Sequence, residues 1–230
     1  MAKGNGVRDE IKEQRAKFKD FSFKQKIAYI WTYYRLPIFA VICAILVVAS
    51  FINAYIRNNY DTVCTIISCD GYITGHRTDD DALSKGFTKY LGIDGKKTRI
   101  DIDYSYNMQG DDLDGAVTVS INKIYILANT GDMDGFMANY DDITYFCTNK
   151  DTFFLDLREV LTEEELAKIS DNLIYYTDGD GNDVPVAVDI SNSPVITSTD
   201  LSTNHPCYGV VNSSPNYENA VDFIRYVFNL

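Results

Sequence analysis

Residues 36–56, LPIFAVICAILVVASFINAYI, hold no charged side chain, and Arg35 and Arg57 close the run on either side. At about 1.5 Å of helical rise per residue this stretch reaches roughly 31 Å, enough to cross a bilayer core of about 30 Å. Charge divides at the same place. Residues 1–35 contain nine Lys and Arg against four Asp and Glu, a net +5. The chain totals of 21 basic and 33 acidic residues leave 12 and 29 beyond the run, a net of −17. Basic flanks stay on the cytoplasmic side of a span. The sequence therefore predicts a single-pass arrangement in a cell membrane: a cytoplasmic segment at 1–35, a transmembrane helix in the lipid bilayer at 36–56, and an extracytoplasmic domain at 57–230.

A cleaved signal peptide has a short basic leader and an apolar core of about 7–15 residues. Here the leader is 35 residues long and the core 21, which favours an uncleaved signal anchor. Cys43 follows Ala40, Val41 and Ile42, without the small residue a lipobox places before its cysteine. Upstream, Ser22 and Gln25 fit a capping box, after which Phe23, Ile27, Ile30, Trp31 and Tyr34 form an apolar stripe flanked by Lys24, Lys26 and Arg35. This segment reads as an amphipathic helix lying at the headgroups, with Pro37 marking a bend before the span. The alternative is an upstream extension of the transmembrane helix. Residues 1–10, with two glycines and no periodicity, read as a disordered tail.

Beyond the span, strands and helices alternate. Residues 62–69, TVCTIISC, are a β-rich apolar run of the kind buried on both faces. Asp79, Asp80 and Asp81 suit a helix start, Leu83, Phe87, Tyr90 and Leu91 its apolar face, and Gly92 its end. Ile100, Ile102 and Tyr104 alternate with Asp101 and Asp103 as a second strand, and Val117, Ile121, Ile124, Tyr125 and Ala128 recur at helical spacing. GDMDGFMANY, residues 131–140, supplies a third strand. Thr162 with Glu165 forms a capping box, and Leu161 with Leu166 a hydrophobic staple. LIYY at 173–176 and VPVAVDI at 184–190 flank the turn-rich TDGDGND; a strand at 208–214 then leads through Pro215 to a helix carrying Ala220, Phe223, Ile224, Val227 and Phe228. Such alternation predicts an α/β domain with a mostly parallel sheet flanked by helices.

The order strand, helix, strand, helix, GDMDGFM resembles the first lobe of extracellular solute-binding proteins of the type II periplasmic-binding-protein fold. FFLDLREVLTEEELAKI (153–169), DGNDVPVAVDISNSP (180–194) and YGVVNSSPNYENAVDFIRYVF (208–228) are similar to that family's segment after the third strand, its crossover strand, and its closing strand and helix. A full member inserts a second lobe before the closing strand. Here only residues 191–207, rich in Ser, Thr, Asn and Pro, occupy that place and read as a loop. The resemblance implies a shortened, single-lobe relative, without a clamshell to enclose a solute.

In open parallel sheets ligands sit beyond the carboxyl ends of the strands. The candidate binding residues are therefore Asp70, Gly71 and Tyr72 after the first strand, Tyr104 on the second, Tyr140 and Asp141 after the third, and Asp189, Ser191 and Asn192 after the crossover. Three aspartates there would repel anions and suit a cation, an amine or a basic peptide. Asp178, Asp180 and Asn182 match the first positions of a calcium loop, but Asp183 stands where a Gly is required and Asp189 where a Glu is. A hairpin turn explains them better.

The chain lacks the motifs of serine hydrolases, zinc proteases and P-loop nucleotide binders. Structural zinc is disfavoured by the absence of a CxxC pair and by only two histidines, His76 and His205. Cys64 and Cys69 point to opposite faces of one strand, whereas a Cys147–Cys207 disulfide stays open. A −17 domain repels nucleic acid. The expectation is a binding or assembly module without catalysis, cofactor or metal, engaging a surface protein. The alternative is a degenerate receptor for a small cationic or peptide ligand.

Overall fold

The computed structural model describes residues 21–73, 82–95, 97–110, 115–149, 153–199, 201–202 and 204–230, in two units, Met1–Asn59 and Tyr60–Leu230. The expected disordered tail and the Asp79–Asp81 helix start lie outside the described residues.

The described part of the first unit is dominated by one helix, α1 (Phe23–Asn58). The Ser22 N–H donates to Gln25 Oε1 at 2.9 Å, closing the N-terminus as its capping box predicts. The helix passes through Pro37 without ending, so the amphipathic segment and the apolar run are one 36-residue helix and not two elements. Proline removes a single i to i−4 bond there, while apolar helix-forming residues continue on both sides. Tyr34–Ile56 is long and apolar enough to cross a membrane.

The second unit is α/β, built on a six-stranded sheet in the order β3-β1-β4-β8-β6-β5. Its strands are β1 (Asp61–Cys69), β3 (Thr98–Tyr106), β4 (Gly135–Ala138), β5 (Leu173–Thr177), β6 (Asp183–Asp189) and β8 (Cys207–Val210). β1 lies parallel between β3 and β4, with Ile66 opposite both Ile102 and Gly135. Beyond β4 every pairing is antiparallel. The sheet is thus mixed, not mostly parallel. Two connections decide this. The five-residue link 178–182 only reaches back to an antiparallel neighbour, and β8 returns between β4 and β6 against the direction of both.

Helices cover both faces. On one side α2 (Ala82–Tyr90) and α8 (Tyr217–Phe228) bury Leu83, Phe87, Ala220, Phe223, Ile224 and Val227 against Cys64, Ile66 and Ile102. On the other, α3 (Ala116–Thr130) and α4 (Tyr140–Asn149) bury Ile124, Ala128, Ile143 and Phe146 with Phe136, Phe153 and Phe154. Each such large side chain contributes about 1.5–3 kcal/mol by leaving water. Cys64 and Cys69 fall in opposite clusters, as strand alternation requires. Cys147 and Cys207 share a cluster as thiols, with no disulfide between them.

Two glycines let aromatic rings lie on the strands. A Cβ on Gly135 would come within 2.2 Å of the Tyr208 hydroxyl, and one on Gly209 within 2.6 Å of the Phe154 ring. β4 and β8 are neighbours, so one ring packs on each face of the same pair. The short helices α5 (Leu157–Val160) and α6 (Glu163–Lys168) follow; Thr162 and Glu165 form the expected capping box, with the Thr162 N–H donating to Glu165 Oε2 at 2.8 Å. TDGDGND is a hairpin turn. Asp178 Oδ1 accepts from the N–H groups of Asp180 and Asn182 at 2.9 and 2.8 Å, and Gly181 takes φ +86°.

Of the stretch read as a loop, 191–207, the described residues are more ordered than that. They form α7 (Pro194–Thr197), capped by Ser193 Oγ accepting from the Ile196 N–H at 3.0 Å, and β7 (Leu201–Ser202), which pairs with β2 (Tyr72–Ile73). Helix α4 went unread in the sequence. Its signals were Asn139 as N-cap, two aspartates in the first turn, and Ile143, Phe146 and Cys147 at helical spacing.

Candidate functional site at the carboxyl end of the sheet

β6 opposes β8, and β8 opposes β4, so β6 runs in the same direction as β1, β3 and β4. The ends of all four strands meet at one edge, where Asp189 pairs with Cys207 and Cys207 with Ala138. That edge carries the nine residues singled out in the sequence, but it does not gather them at one point. Asp189 lies three strand steps from β1, about 14 Å at roughly 4.8 Å per step. Two separate groups result.

The first group surrounds the end of β1. Asp70 adopts φ +52°, a left-handed conformation that Asp tolerates better than most residues. The turn directs its carboxylate onto the segment leaving β3, where Oδ1 accepts from the N–H groups of Met108 and Gln109 at 3.1 and 3.3 Å. Asp70 therefore clasps two strand exits together, a role its place after a strand did not reveal. Gly71 is buried; a Cβ there would stand 2.8 Å from Ser68 Oγ and 3.6 Å from the Tyr104 ring, which packs against the same core. The Tyr72 backbone pairs with Ser202. Tyr140 and Asp141 are exposed on the first turn of α4.

Asp142, the next residue, was not among the candidates. It is 8 % exposed, and its Oδ2 has no hydrogen-bond partner. Burial, then the charges of Asp70 and Asp141, push its carboxyl up to about 6. Burial, Asp142 and Asp70 in turn raise the Cys69 thiol far above its usual range. The Asp142 N–H donates to Asn139 Oδ1 at 2.9 Å, which fixes its backbone at the helix start. A carboxylate that is buried, unpaired and flanked by like charge is the least satisfied ionisable group among the described residues at this edge. Among the described residues the other orphan is Ser68 Oγ, fully buried.

The second group lies beyond β6. Asp189 Oδ1 accepts from the Ser191 N–H at 2.8 Å, and its carbonyl accepts from Asn172 Nδ2 at 3.1 Å. Ser191 and Asn192 line a concavity of about 410 Å³ with Ile196, Leu201 and His205. His205 takes φ +47°. Burial, then Asp189, raise the Cys207 thiol to about 12. Another concavity, about 610 Å³, opens at the other end of the sheet between Phe154, Tyr176, Asp178 and Asn212.

Thiolate chemistry at this edge is suppressed, because both thiols hold their protons at neutral pH. Among the described residues no three His, Cys, Asp or Glu side chains converge to hold a metal ion. A second buried carboxylate, Asp134, is saturated instead. Its Oδ2 accepts from the Thr65 N–H at 2.7 Å, and its Oδ1 from Ser214 Oγ at 2.5 Å and Asn216 Nδ2 at 3.4 Å. Asp134 joins β1, the start of β4 and the approach to α8; it is structural, and Asp142 differs from it in lacking such donors.

No protein-family model, curated protein or solved structure matches the chain. Among the described residues the edge offers negative charge, exposed tyrosine and one unsatisfied carboxylate.

Proposed function

We propose that the chain is a membrane-anchored binding module without catalysis, which displays an acidic α/β domain outside the cell membrane to a surface protein partner. The observation that carries this reading is the joining of α1, apolar over Tyr34–Ile56, to a domain side whose net charge is −17 against +5 on the other. The positive side stays cytoplasmic, so the domain faces outward. Its fold is that of a single lobe related to the type II solute-binding proteins. In support, the strand pair β6 and β8 is bridged by residues 190–206 alone, where a full member inserts its second lobe. The partner contact is the carboxyl end of the sheet, where Asp70, Tyr140 and Asp141 offer acid and aromatic surface. Negative potential of this kind selects and steers basic partners.

A second reading, a degenerate receptor for a small cationic or peptide ligand, is favoured by the concavity of about 410 Å³ at the same edge, lined by Ser191 and Asn192.

Photocrosslinking in intact membranes tests the first reading. A photoreactive residue in place of Tyr140 should give a discrete protein adduct, and one in place of Asp183, at the opposite end of the sheet, should give none. Equal labelling from both positions, or none from either, overturns the assignment of this edge.

A further inference from the structure

The polar residues of α1 fall along one line. We infer that α1 pairs with the α1 of a second copy of this chain, in parallel and in register, through a seam of Gln25, Thr32, Cys43, Ser50 and Asn53. The inference rests on the membrane-span reading of Tyr34–Ile56 and goes beyond it by naming what the span meets in the bilayer.

At about 100° of turn per residue, the five side chains lie within roughly 80° of the helix circumference. They stand on a repeat of alternating four and three residues that runs from Gln25 to Asn53 inside the single helix Phe23–Asn58. That is the spacing along which two helices face each other in a left-handed seam. Apart from Tyr55, the polar residues of the run 36–56 are Cys43, Ser50 and Asn53. All three face the same way. The opposite side carries Ile38, Val41, Ile45, Val48 and Ile52, every one exposed, and suits lipid.

Ser50 and Asn53 stand about 9 and 5 Å inside Ile56, at a depth where no water satisfies them. Thr32 Oγ1 donates back to the Ala28 carbonyl at 2.8 Å, whereas among the described residues the Ser50 and Asn53 side chains make no such bond. Cys43 is exposed too. Polar side chains in a span turn toward protein, where hydrogen bonds between helices satisfy them.

The seam complements itself, which makes a second copy its occupant. An amide and a hydroxyl each donate and accept, so Asn53 and Ser50 each meet their own equivalent across a two-fold axis without mismatch. Charge stays off the seam. Lys24, Lys26 and Arg35 fall between its positions, so no like charges are set face to face. Both amino termini stay on the basic, cytoplasmic side, which makes the pair parallel.

The test uses the full chain in phosphatidylcholine vesicles, with donor or acceptor fluorophores at the amino terminus, and follows energy transfer between copies as lipid is added. Transfer in the wild type should persist at dilutions where randomly placed monomers give none. Asn53→Leu with Ser50→Leu, both compatible with a membrane helix, should weaken pairing about tenfold. Val48→Leu, on the opposite side, should leave it unchanged. In the same vesicles, copper phenanthroline with oxygen as the electron acceptor should join Cys43 to Cys43 of the second copy. Cys43→Ser should abolish that product, and adding Val48→Cys to it should not restore it.

Transfer that falls to the random level on dilution, or that ignores the Asn53→Leu and Ser50→Leu pair, overturns the proposal. Crosslinking through Val48→Cys equal to that through Cys43 does the same. A wild type that is monomeric in vesicles, while Cys43 joins a different protein in native membranes, gives the seam to a partner's span and overturns the second copy. Vesicle flotation after an alkaline wash separates this inference from the reading beneath it. A chain that washes off refutes the span itself; one that stays while transfer is lost refutes the pairing alone.

Discussion

Arg225 Nε donates to Glu165 Oε1 at 2.6 Å, so the glutamate that caps α6 also ties that helix to α8. The guanidinium reaches further, with Nη1 on Asp222 at 2.9 Å and Nη2 on the Val160 carbonyl at 3.3 Å. The Arg225 hydrogen bond, against partial burial, and then the Thr162 N–H hold the Glu165 carboxyl down at about 2. Both side chains are less than a third exposed. Glu165→Gln, which leaves an amide in the cap, should cost about 1 kcal/mol at pH 7. The folded value is depressed, so this stability is present above the usual carboxylate range and lost as pH falls toward 2. Urea unfolding of both proteins at pH 7 and pH 2.5 should show the gap and its shrinkage.

Asp134 gathers the Thr65 N–H, Ser214 Oγ and Asn216 Nδ2 on one buried carboxylate. Asp134→Ala strands these donors in the core, and the expected loss is about 3 kcal/mol. Asp134→Asn should cost less but still destabilise, because its amide turns a donor toward one of them. Thermal unfolding monitored by near-UV dichroism, which follows the packed tyrosines, measures both.

Gly135 is the only residue that fits beneath the Tyr208 ring, since a Cβ there meets three ring and hydroxyl atoms within 2.7 Å. Tyr208 is fully buried and donates to the Ala220 carbonyl at 3.0 Å, so it has no room to withdraw. Gly135→Ala should destabilise by about 2–3 kcal/mol. Combined with Tyr208→Leu, the two losses should be markedly less than additive, as a double-mutant cycle would show.

Asp142 predicts an increase. Its folded carboxyl titrates at about 6, above the usual 3.8. The stability that comes from its proton is therefore complete below the usual value and lost as pH rises through 6. Asp142→Asn should raise Tm at pH 7.5, by the equivalent of about 1–3 kcal/mol, and change it little at pH 4. A Tm gain of equal size at both pH values would contradict the assignment of burial as the cause.

Local chemistry made much of this chain legible. Asp178 and Gly181 marked a hairpin turn, Thr162 and Glu165 a helix start, and Ala220 to Val227 a buried helical stripe; each signal is complete within a few residues. Helix α4 escaped because GDMDGFMANY reads as one strand, although pairing ends at Ala138 and Asn139 begins a cap. The edge of the sheet was legible as a location, and Asp70 and Asp141 as members of it. The distinction between Asp134 and Asp142 was not. Two aspartates eight positions apart look alike until their donors, from residues 65, 214 and 216 in one case and none in the other, are brought near.

The sequence by itself determined the apolar helix, the charge of its two sides, and most strands and helices of an α/β domain, because hydropathy and capping act over one turn or one strand. Tertiary structure alone decided that the sheet is mixed, that Asp189 stands apart from Asp70, and that Asp142 is left unsatisfied. Those outcomes depend on which strands become neighbours and which backbone N–H groups arrive beside a carboxylate. Such contacts join residues tens of positions apart, and no local pattern encodes them.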